Sequence, residues 1–78
     1  MYRVVFTDQA FQSLKKFDKN VSRMILAWIR KNLEGCDDPR RLGKALIGNY
    51  AGRWRYEAGD YRIMAEISDE RLRYMLLI

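Results

Sequence analysis

The spacing of apolar residues changes along the chain, and each change predicts a different kind of element. Residues 2–6 (YRVVF) form a short β-branched and aromatic run, which is typical of a strand. Apolar residues then recur at three- and four-residue steps as far as Leu33, which predicts two helices separated at residues 18–20. Beyond Arg53 the period falls to two, which predicts strands.

The two predicted helices carry recognisable end signals. Thr7 is a suitable N-cap for the first helix, and Asp8 places a negative charge in its first turn. For the second helix, Asn20 or Ser22 is the expected cap and Gly35 fits the C-terminal stop. We interpret its apolar stripe as the face that packs on a sheet, with a partner-binding face as the alternative. The stripe consists of Val21, Met24, Ile25, Trp28, Ile29 and Leu33.

The second half of the chain predicts a connection followed by a meander. Residues 37–39 (DDP) indicate a turn, and residues 40–52 a connection with one short turn at residues 44–46. Three alternating runs follow, separated by a tight turn at Gly59-Asp60 and a second turn at residues 68–70. The order β-α-α-β-β-β predicts an α+β fold. In it a helix hairpin covers one face of a small antiparallel sheet, and the other face stays open.

Length and composition agree with one folded domain spanning residues 1–78. Because 49% of the residues are apolar, the chain has the composition of a globular protein and not of a disordered one. We find no membrane-spanning run of about 20 apolar residues and no secretory signal, so we expect a cytoplasmic protein. With Cys36 as the one cysteine and no histidine, we expect no disulfide, metal or small-molecule cofactor.

The net charge of +5 is concentrated in the middle of the chain. Residues 40–62 hold six basic and two acidic side chains, a balance of +4, against +2 for residues 1–39 and −1 for residues 63–78. A focused positive charge favours a polyanionic partner such as nucleic acid. A solvated surface that keeps the protein soluble is the alternative.

Strand alternation predicts where three arginines of this segment lie. Arg53 and Arg55 point away from Trp54 and Tyr56, which we expect to pack beneath the helices. Across the Gly59-Asp60 turn, we expect Tyr61 and Ile63 to point into the core. Arg62, which lies between them, would then point to the same open face as Arg53 and Arg55.

Three guanidiniums on one open face would form a cluster suited to phosphate groups. Glu57 would pair with one of them and orient it. Three ordinary exposed arginines on a solvated sheet face are the alternative interpretation.

Four stretches of the chain resemble the RelE toxins of bacterial toxin–antitoxin modules, within the RelE/ParE superfamily. They are YRVVFT, LKKFDKNV, DPRRLGKALIGN and GRWRYEAGDYRIM. The combination of the loop with the pattern W-R-Y-x-x-G-D-Y-R-I is specific, whereas the helices alone would not be. The likeness covers nearly the whole chain and is to the RelE-type RNases more than to the ParE gyrase poisons.

The resemblance implies a ribosome-dependent mRNA endoribonuclease that acts in the A site. In that family the ribose 2′-hydroxyl attacks the adjacent phosphodiester, without a metal, and leaves a 2′,3′-cyclic phosphate. By likeness Arg62 would stabilise the transition-state charge, while Arg53 and Arg55 would orient the RNA. The implied partners are an acidic RelB-like antitoxin, the ribosome and mRNA. The residues expected to bind RNA elsewhere in the basic segment are Lys44, Arg40 and Arg41.

Two departures from the family pattern lower the activity that we expect. The Arg55 position is a lysine proposed as general base in well-studied relatives, and arginine is a poor proton acceptor. The family also continues with a V-G-x-R segment and a final tyrosine that have no counterpart up to Ile78, so the tail looks truncated. We therefore expect weak or absent activity. The alternatives are a non-catalytic module that binds antitoxin or ribosome, and a ParE-like gyrase inhibitor.

Overall fold

The computed structural model describes residues 1–50, 52–68 and 71–77, with residues 50 and 71–77 described by their backbone alone. In this part of the chain, five strands form one sheet in the order β1-β5-β4-β3-β2. The predicted α+β order is confirmed, with the short β2 added to it. The elements are β1 (Arg3–Phe6), α1 (Asp8–Lys16), α2 (Lys19–Asn32), β2 (Lys44–Ala45), a 3₁₀ turn (Gly48–Tyr50), β3 (Trp54–Ala58), β4 (Tyr61–Ile67) and β5 (Arg71–Leu77).

The strand directions make the sheet mixed. The successive pairs β2–β3, β3–β4 and β4–β5 are antiparallel, which confirms the predicted meander of β3, β4 and β5. Strand β1 instead runs parallel to β5, with Arg3 opposite Arg71. Parallel pairing needs a long connection, which the two helices and the intervening strands supply. The two-residue period did not predict the parallel direction of β1, because alternation indicates which face of a strand is buried and not which way the strand runs.

The segment before β3 differs from its prediction. Residues 44–46 were expected to form a short turn, but Lys44 and Ala45 pair with Arg55 and Trp54 as β2. Two residues are too few to give a periodic signal, so the sequence did not distinguish this strand from a loop. Parts of three predicted segments lie outside the described residues: residue 51 of the connection, residues 69–70 of the second turn, and Ile78 of the last strand.

The N-cap of α1 agrees with the sequence-based prediction, and the N-cap of α2 does not. Thr7 caps α1 as predicted. The cap of α2 is Asp18, whose Oδ2 accepts the amide of Asn20 at 3.1 Å, so the prediction of Asn20 or Ser22 was wrong. Asp18 has a non-helical backbone conformation (φ −55°, ψ 146°) and directly precedes the helix, which is the position an N-cap requires. Ser22 instead donates its hydroxyl to the Leu14 carbonyl at 2.6 Å and ties the two helices together.

The turn after α2 covers the outer edge of β1. Gly35, with φ +73°, donates its amide to the Tyr2 carbonyl at 2.8 Å, and Tyr2 donates to the Cys36 carbonyl at 2.9 Å. Within β1 itself, the Val4 amide donates to Glu34 Oε2 at 3.0 Å. At the start of the edge strand, the amide and carbonyl of Tyr2 and the amide of Val4 are therefore satisfied within the molecule and are not offered to another chain.

The core lies between the helix hairpin and one face of the sheet. The α2 stripe supplies part of it, which confirms that this stripe packs on the sheet. Alternation also holds in β3, since Tyr56 is fully buried and Trp54 is partly buried against the core. The buried cluster contains Leu14, Ile25 and Ile29 from the helices, Leu33 at the C-cap of α2, and Tyr56, Ala58, Ile63 and Ala65 from the sheet.

Two aromatic side chains of β3 hold the loop that precedes β2. The Tyr56 hydroxyl donates to the carbonyl of the buried Pro39 at 2.5 Å, and Trp54 Nε1 donates to the Leu42 carbonyl at 2.6 Å. Burial raises the pKa of Tyr56 well above its usual range. The loop then passes so close to β3 that residue 43 has no room for a side chain. A Cβ on Gly43 would lie 2.3 Å from the Arg55 carbonyl oxygen.

Gly43→Ala is expected to destabilise the fold by about 3 kcal/mol, because it adds a steric clash to the cost of a positive φ. Gly48→Ala is the matched control, since Gly48 has φ +70°, near the +76° of Gly43, but open space around it. The control should cost only about 1 kcal/mol. Urea unfolding of both variants measures the difference. Equal losses would contradict the close approach.

Tyr56→Phe is expected to change the alkaline stability of the protein. Above about pH 10 the unfolded chain loses the phenolic proton while the folded chain keeps it, so unfolding becomes easier by about 1.4 kcal/mol per pH unit. The variant lacks this contribution, although at neutral pH it is less stable by about 1 kcal/mol because the hydrogen bond to Pro39 is lost. Urea unfolding at several alkaline pH values tests this. Identical slopes in both proteins would count against it.

Candidate nucleic-acid interface

The sheet face turned away from the helices carries a cluster of charged side chains, here called the basic face. Residues directly opposite each other in an antiparallel pair point to the same side. Arg55 is opposite both Lys44 and Met64, and Glu57 is opposite Arg62. The structure thus brings the arginines together on the side opposite the buried Tyr56, as alternation predicts. The basic face comprises Lys44, Arg53, Arg55, Glu57, Arg62, Met64 and Glu66.

Two of the arginines are held by carboxylates. Arg53 Nε lies 3.5 Å from Glu66 Oε1, and Arg55 Nη2 lies 3.7 Å from Glu57 Oε1, which is the kind of pairing expected of Glu57. The arginine side chains are 34% and 27% exposed, and both carboxylates are more exposed than that. Ion pairs that are this exposed to water contribute little to the stability of the fold. Their main effect is to restrict the orientation of the guanidiniums.

Arg62 and Lys44 are the cations of the basic face that keep their charge uncompensated. Both are exposed, and among the side chains that the structure describes none forms an ion pair with either. Counted over the described side chains, four cations against two carboxylates give the basic face a charge of +2. The positive charge is therefore available to an anionic ligand at these two positions.

Met64 shows that the basic face is not uniformly exposed. Its side chain is only 2% exposed, although it lies on the side away from the helices. Arg53 Nη1 contacts Met64 Sδ at 3.4 Å. The guanidinium of Arg53 is thus fixed between a sulfur atom and the Glu66 carboxylate. The alternating pattern gave no signal for this burial, because it placed Met64 on the solvated face.

The remaining predicted RNA-binding residues lie in the turn before β2. The amide of Arg40 donates to Asp38 Oδ1 at 3.0 Å, and the amide of Arg41 donates to the Asp38 carbonyl at 3.2 Å. Both arginine side chains are exposed. Of the three residues predicted to bind RNA, Lys44 is the one that strand pairing places beside Arg55.

A groove of about 280 Å³ adjoins the basic face at the edge of β3. Trp28 and Leu42 give it an apolar wall, while Arg55 and Glu57 bring charged groups into it. Sequence reasoning missed this role of Trp28, because the residue belongs to the core stripe of α2. Leu42 lies in the loop, where no period marks it. The lining residues are Trp28, Leu42, Gly43, Lys44, Arg55 and Glu57.

Across residues 1–50, 52–68 and 71–77, no group of three or more histidine, cysteine, aspartate or glutamate residues could hold a metal ion. None of the helices in this described part is both long and apolar enough to span a bilayer.

Comparisons with known proteins agree with the fold and relate the sequence to a family. Residues 4–78 match the family described as ParE toxin of type II toxin-antitoxin system, parDE. A chain of the toxin–antitoxin complex RelBE2 from Mycobacterium tuberculosis is 26% identical, with a TM-score of 0.86 over 96% of this chain and 94% of that chain. A comparison with curated proteins found no match.

Two further solved structures share the fold. The YoeB dimer from Staphylococcus aureus is 25% identical, with a TM-score of 0.60 over 95% of this chain and 91% of that chain. The YoeB/ParE toxin from Agrobacterium tumefaciens is 21% identical, with a TM-score of 0.64 over 94% of this chain and 92% of that chain. At 21% identity the second likeness concerns the fold alone.

Fold and sequence together define a toxin of the RelE/ParE superfamily, which confirms the resemblance seen in the sequence. The chain belongs to the family of ParE toxins of type II toxin–antitoxin systems, whose sequence pattern matches residues 4–78. The finer assignment to the RelE-type RNases stays a prediction.

Proposed function

We propose that this toxin is a ribosome-dependent mRNA endoribonuclease whose basic face binds the RNA backbone at the cleaved phosphodiester. The observation that carries the proposal is the grouping of Arg53, Arg55, Arg62 and Lys44 on one uncovered sheet face. Guanidinium groups bind phosphate oxygens through paired hydrogen bonds, and three of them on one face match a charged backbone. The likeness of the strand pair to RelE toxins supports the same function.

In the proposed reaction the ribose 2′-hydroxyl attacks the adjacent phosphorus and the 5′-oxygen of the next nucleotide leaves. Negative charge grows on the non-bridging oxygens, and the exposed guanidinium of Arg62 stabilises it there. Arg53 and Arg55, oriented by Glu66 and Glu57, bind the neighbouring phosphates. A guanidinium donates hydrogen bonds and has no acceptor, so the three arginines bind and stabilise charge while another group accepts the 2′-hydroxyl proton. The departing 5′-oxygen takes a proton from solvent water, and the bond that it leaves is replaced by the new bond from the 2′-oxygen to phosphorus.

The partners follow from the same surface. The RelBE2 structure is a toxin–antitoxin complex, and YoeB is also described in complex with YefM. We infer that this chain likewise binds an acidic antitoxin of the RelB kind, drawn by the charge of +4 in residues 40–62. The ribosome and its mRNA are the proposed substrate complex, which requires a cytoplasmic protein.

Gyrase inhibition is the second candidate function, because the matching family is described as ParE toxin. It predicts DNA breaks and an SOS response on expression, with intact mRNA. The proposed RNase predicts cleaved mRNA without DNA breaks. Expression in a bacterial host, followed by assays of both kinds of damage, separates the two candidates.

Arg62→Ala is expected to lower A-site cleavage by about a hundredfold, because a charge-stabilising group at the transition state is lost. Purified protein is incubated with programmed ribosomes, and the 3′ ends of the mRNA are mapped. Arg23→Ala is the matched control, since Arg23 is an exposed arginine of α2 and lies outside the basic face. Cleavage by the wild-type chain is expected to be weak, since Arg55 stands where relatives have the lysine proposed as general base. No detectable cleavage at all would contradict the RNase function. Equal cleavage by Arg62→Ala would contradict the role of Arg62.

Binding of single-stranded RNA is expected to depend strongly on salt. Each phosphate contact contributes about 0.7 to the slope of log affinity against log salt concentration, so Arg62→Ala should reduce the slope by about that amount. Arg23→Ala should leave the slope close to that of the wild type. Fluorescence anisotropy with a labelled oligonucleotide measures both. The same slope in all three proteins would exclude a phosphate contact at Arg62.

A further inference from the structure

The groove beside the basic face combines an apolar wall with a hydrogen-bonding pair. The indole of Trp28 has its ring centroid 5.9 Å from that of Tyr56, so the core fixes its position, and it also lines the groove with the exposed Leu42. Across from this wall, Arg55 and Glu57 present a donor and an acceptor only 3.7 Å apart. A flat ligand with a polar edge would satisfy both parts of the groove.

The size of the groove limits what it can hold. Its volume of about 280 Å³ lies just below the range typical of pockets for drug-sized molecules, so it suits a single planar ring system. Aromatic and aliphatic side chains are the surfaces on which unstacked RNA bases pack. Lys44 and Arg55 belong both to the groove and to the basic face, so a base in the groove would stay connected to a backbone on that face.

The polar edge of the groove distinguishes among the bases. A carboxylate accepts hydrogen bonds and donates none, so both of its oxygens are satisfied together only by two neighbouring N–H groups on the base. Guanine offers N1–H and the N2 amino group side by side, with the O6 acceptor next to them for a guanidinium. Adenine and cytosine each have a ring-nitrogen acceptor beside their amino group. This acceptor would face a carboxylate oxygen, which is also an acceptor, so the two atoms would repel each other. Uracil flanks its one N–H with two carbonyl oxygens.

We propose that this groove is a nucleobase subsite that selects guanine in the RNA strand bound by the basic face. Glu57 accepts from N1–H and the N2 amino group, and the base packs against Trp28 and Leu42. Arg55 donates one of its five N–H groups to O6 and keeps the others for the backbone phosphate. The inference rests on the proposed RNA-binding function and adds to it a residue that determines base specificity. Glu57 is suited to such a role because its side chain is 62% exposed and reaches the groove.

The test exchanges the carboxylate for an amide. Glutamine pairs through both of its polar atoms with adenine, so Glu57→Gln should change the preferred base from guanine to adenine. The matched control is Glu66→Gln, which removes the other carboxylate of the basic face but does not line the groove. Binding is measured by anisotropy with oligouridine strands that carry one guanine, adenine or cytosine. The wild type and Glu66→Gln should prefer guanine by about tenfold or more.

A second variant tests the apolar wall. Leu42→Ala removes the exposed side chain but keeps the backbone carbonyl that accepts from Trp54 Nε1. It should weaken binding of the guanine strand several-fold while guanine remains the preferred base. Unchanged affinity in this variant would show that the base does not lie in the groove.

The remaining outcomes distinguish a failure of the guanine subsite from a failure of the proposed RNA-binding function. If the wild type binds all strands equally, or if Glu57→Gln keeps the preference of the wild type, the guanine subsite is wrong while RNA binding stands. If the wild type binds none of the strands, the proposed function itself is contradicted. If guanosine monophosphate binds as tightly as the guanine strand, the ligand is a free nucleotide and the assignment to RNA is overturned.

Discussion

The arrangement of the molecule depends on the two-residue period of β3 and on its pairing with β4. Tyr56 and Ala58 point into the core beneath the helices, and Arg55 and Glu57 point to the other side. A shift of the register by one residue would exchange these sets, so that charges entered the core and the aromatic ring lay in water. The two-residue turn at Gly59, with φ +64°, fixes the register that keeps them apart.

The same strand connects the core to the surface that we propose binds RNA. Tyr56 holds Pro39, Trp54 holds the carbonyl of Leu42, and Gly43 fits between them against the backbone of β3. Leu42, which forms part of the groove wall, lies in a loop that is held by Tyr56 and Trp54. The same two side chains also pack in the core or against it. A toxin of this size has few residues available, and here the packing residues also shape the site.

The sequence predicted those parts of the structure in which a period repeats several times. Both helices, the meander and the common face of Arg53, Arg55 and Arg62 follow from such repeats. The parts that it did not predict depend on contacts distant in the chain. The pairing of β2, the burial of Met64 under Arg53 and the parallel position of β1 leave no local signal. The groove belongs to this group, because it joins a helix residue to a loop and a strand.

The position of β5 has a consequence for the order of assembly. Strand β5 lies between β1 and β4, so β1, although it is made first, has no partner in the sheet until β5 has been synthesised. Contacts between segments so far apart in the chain are also slow to form. During translation the nascent toxin therefore lacks a complete sheet until β5 has left the ribosome. Under the proposed RNase function, this delay would keep a nascent chain from acting on the ribosome that makes it.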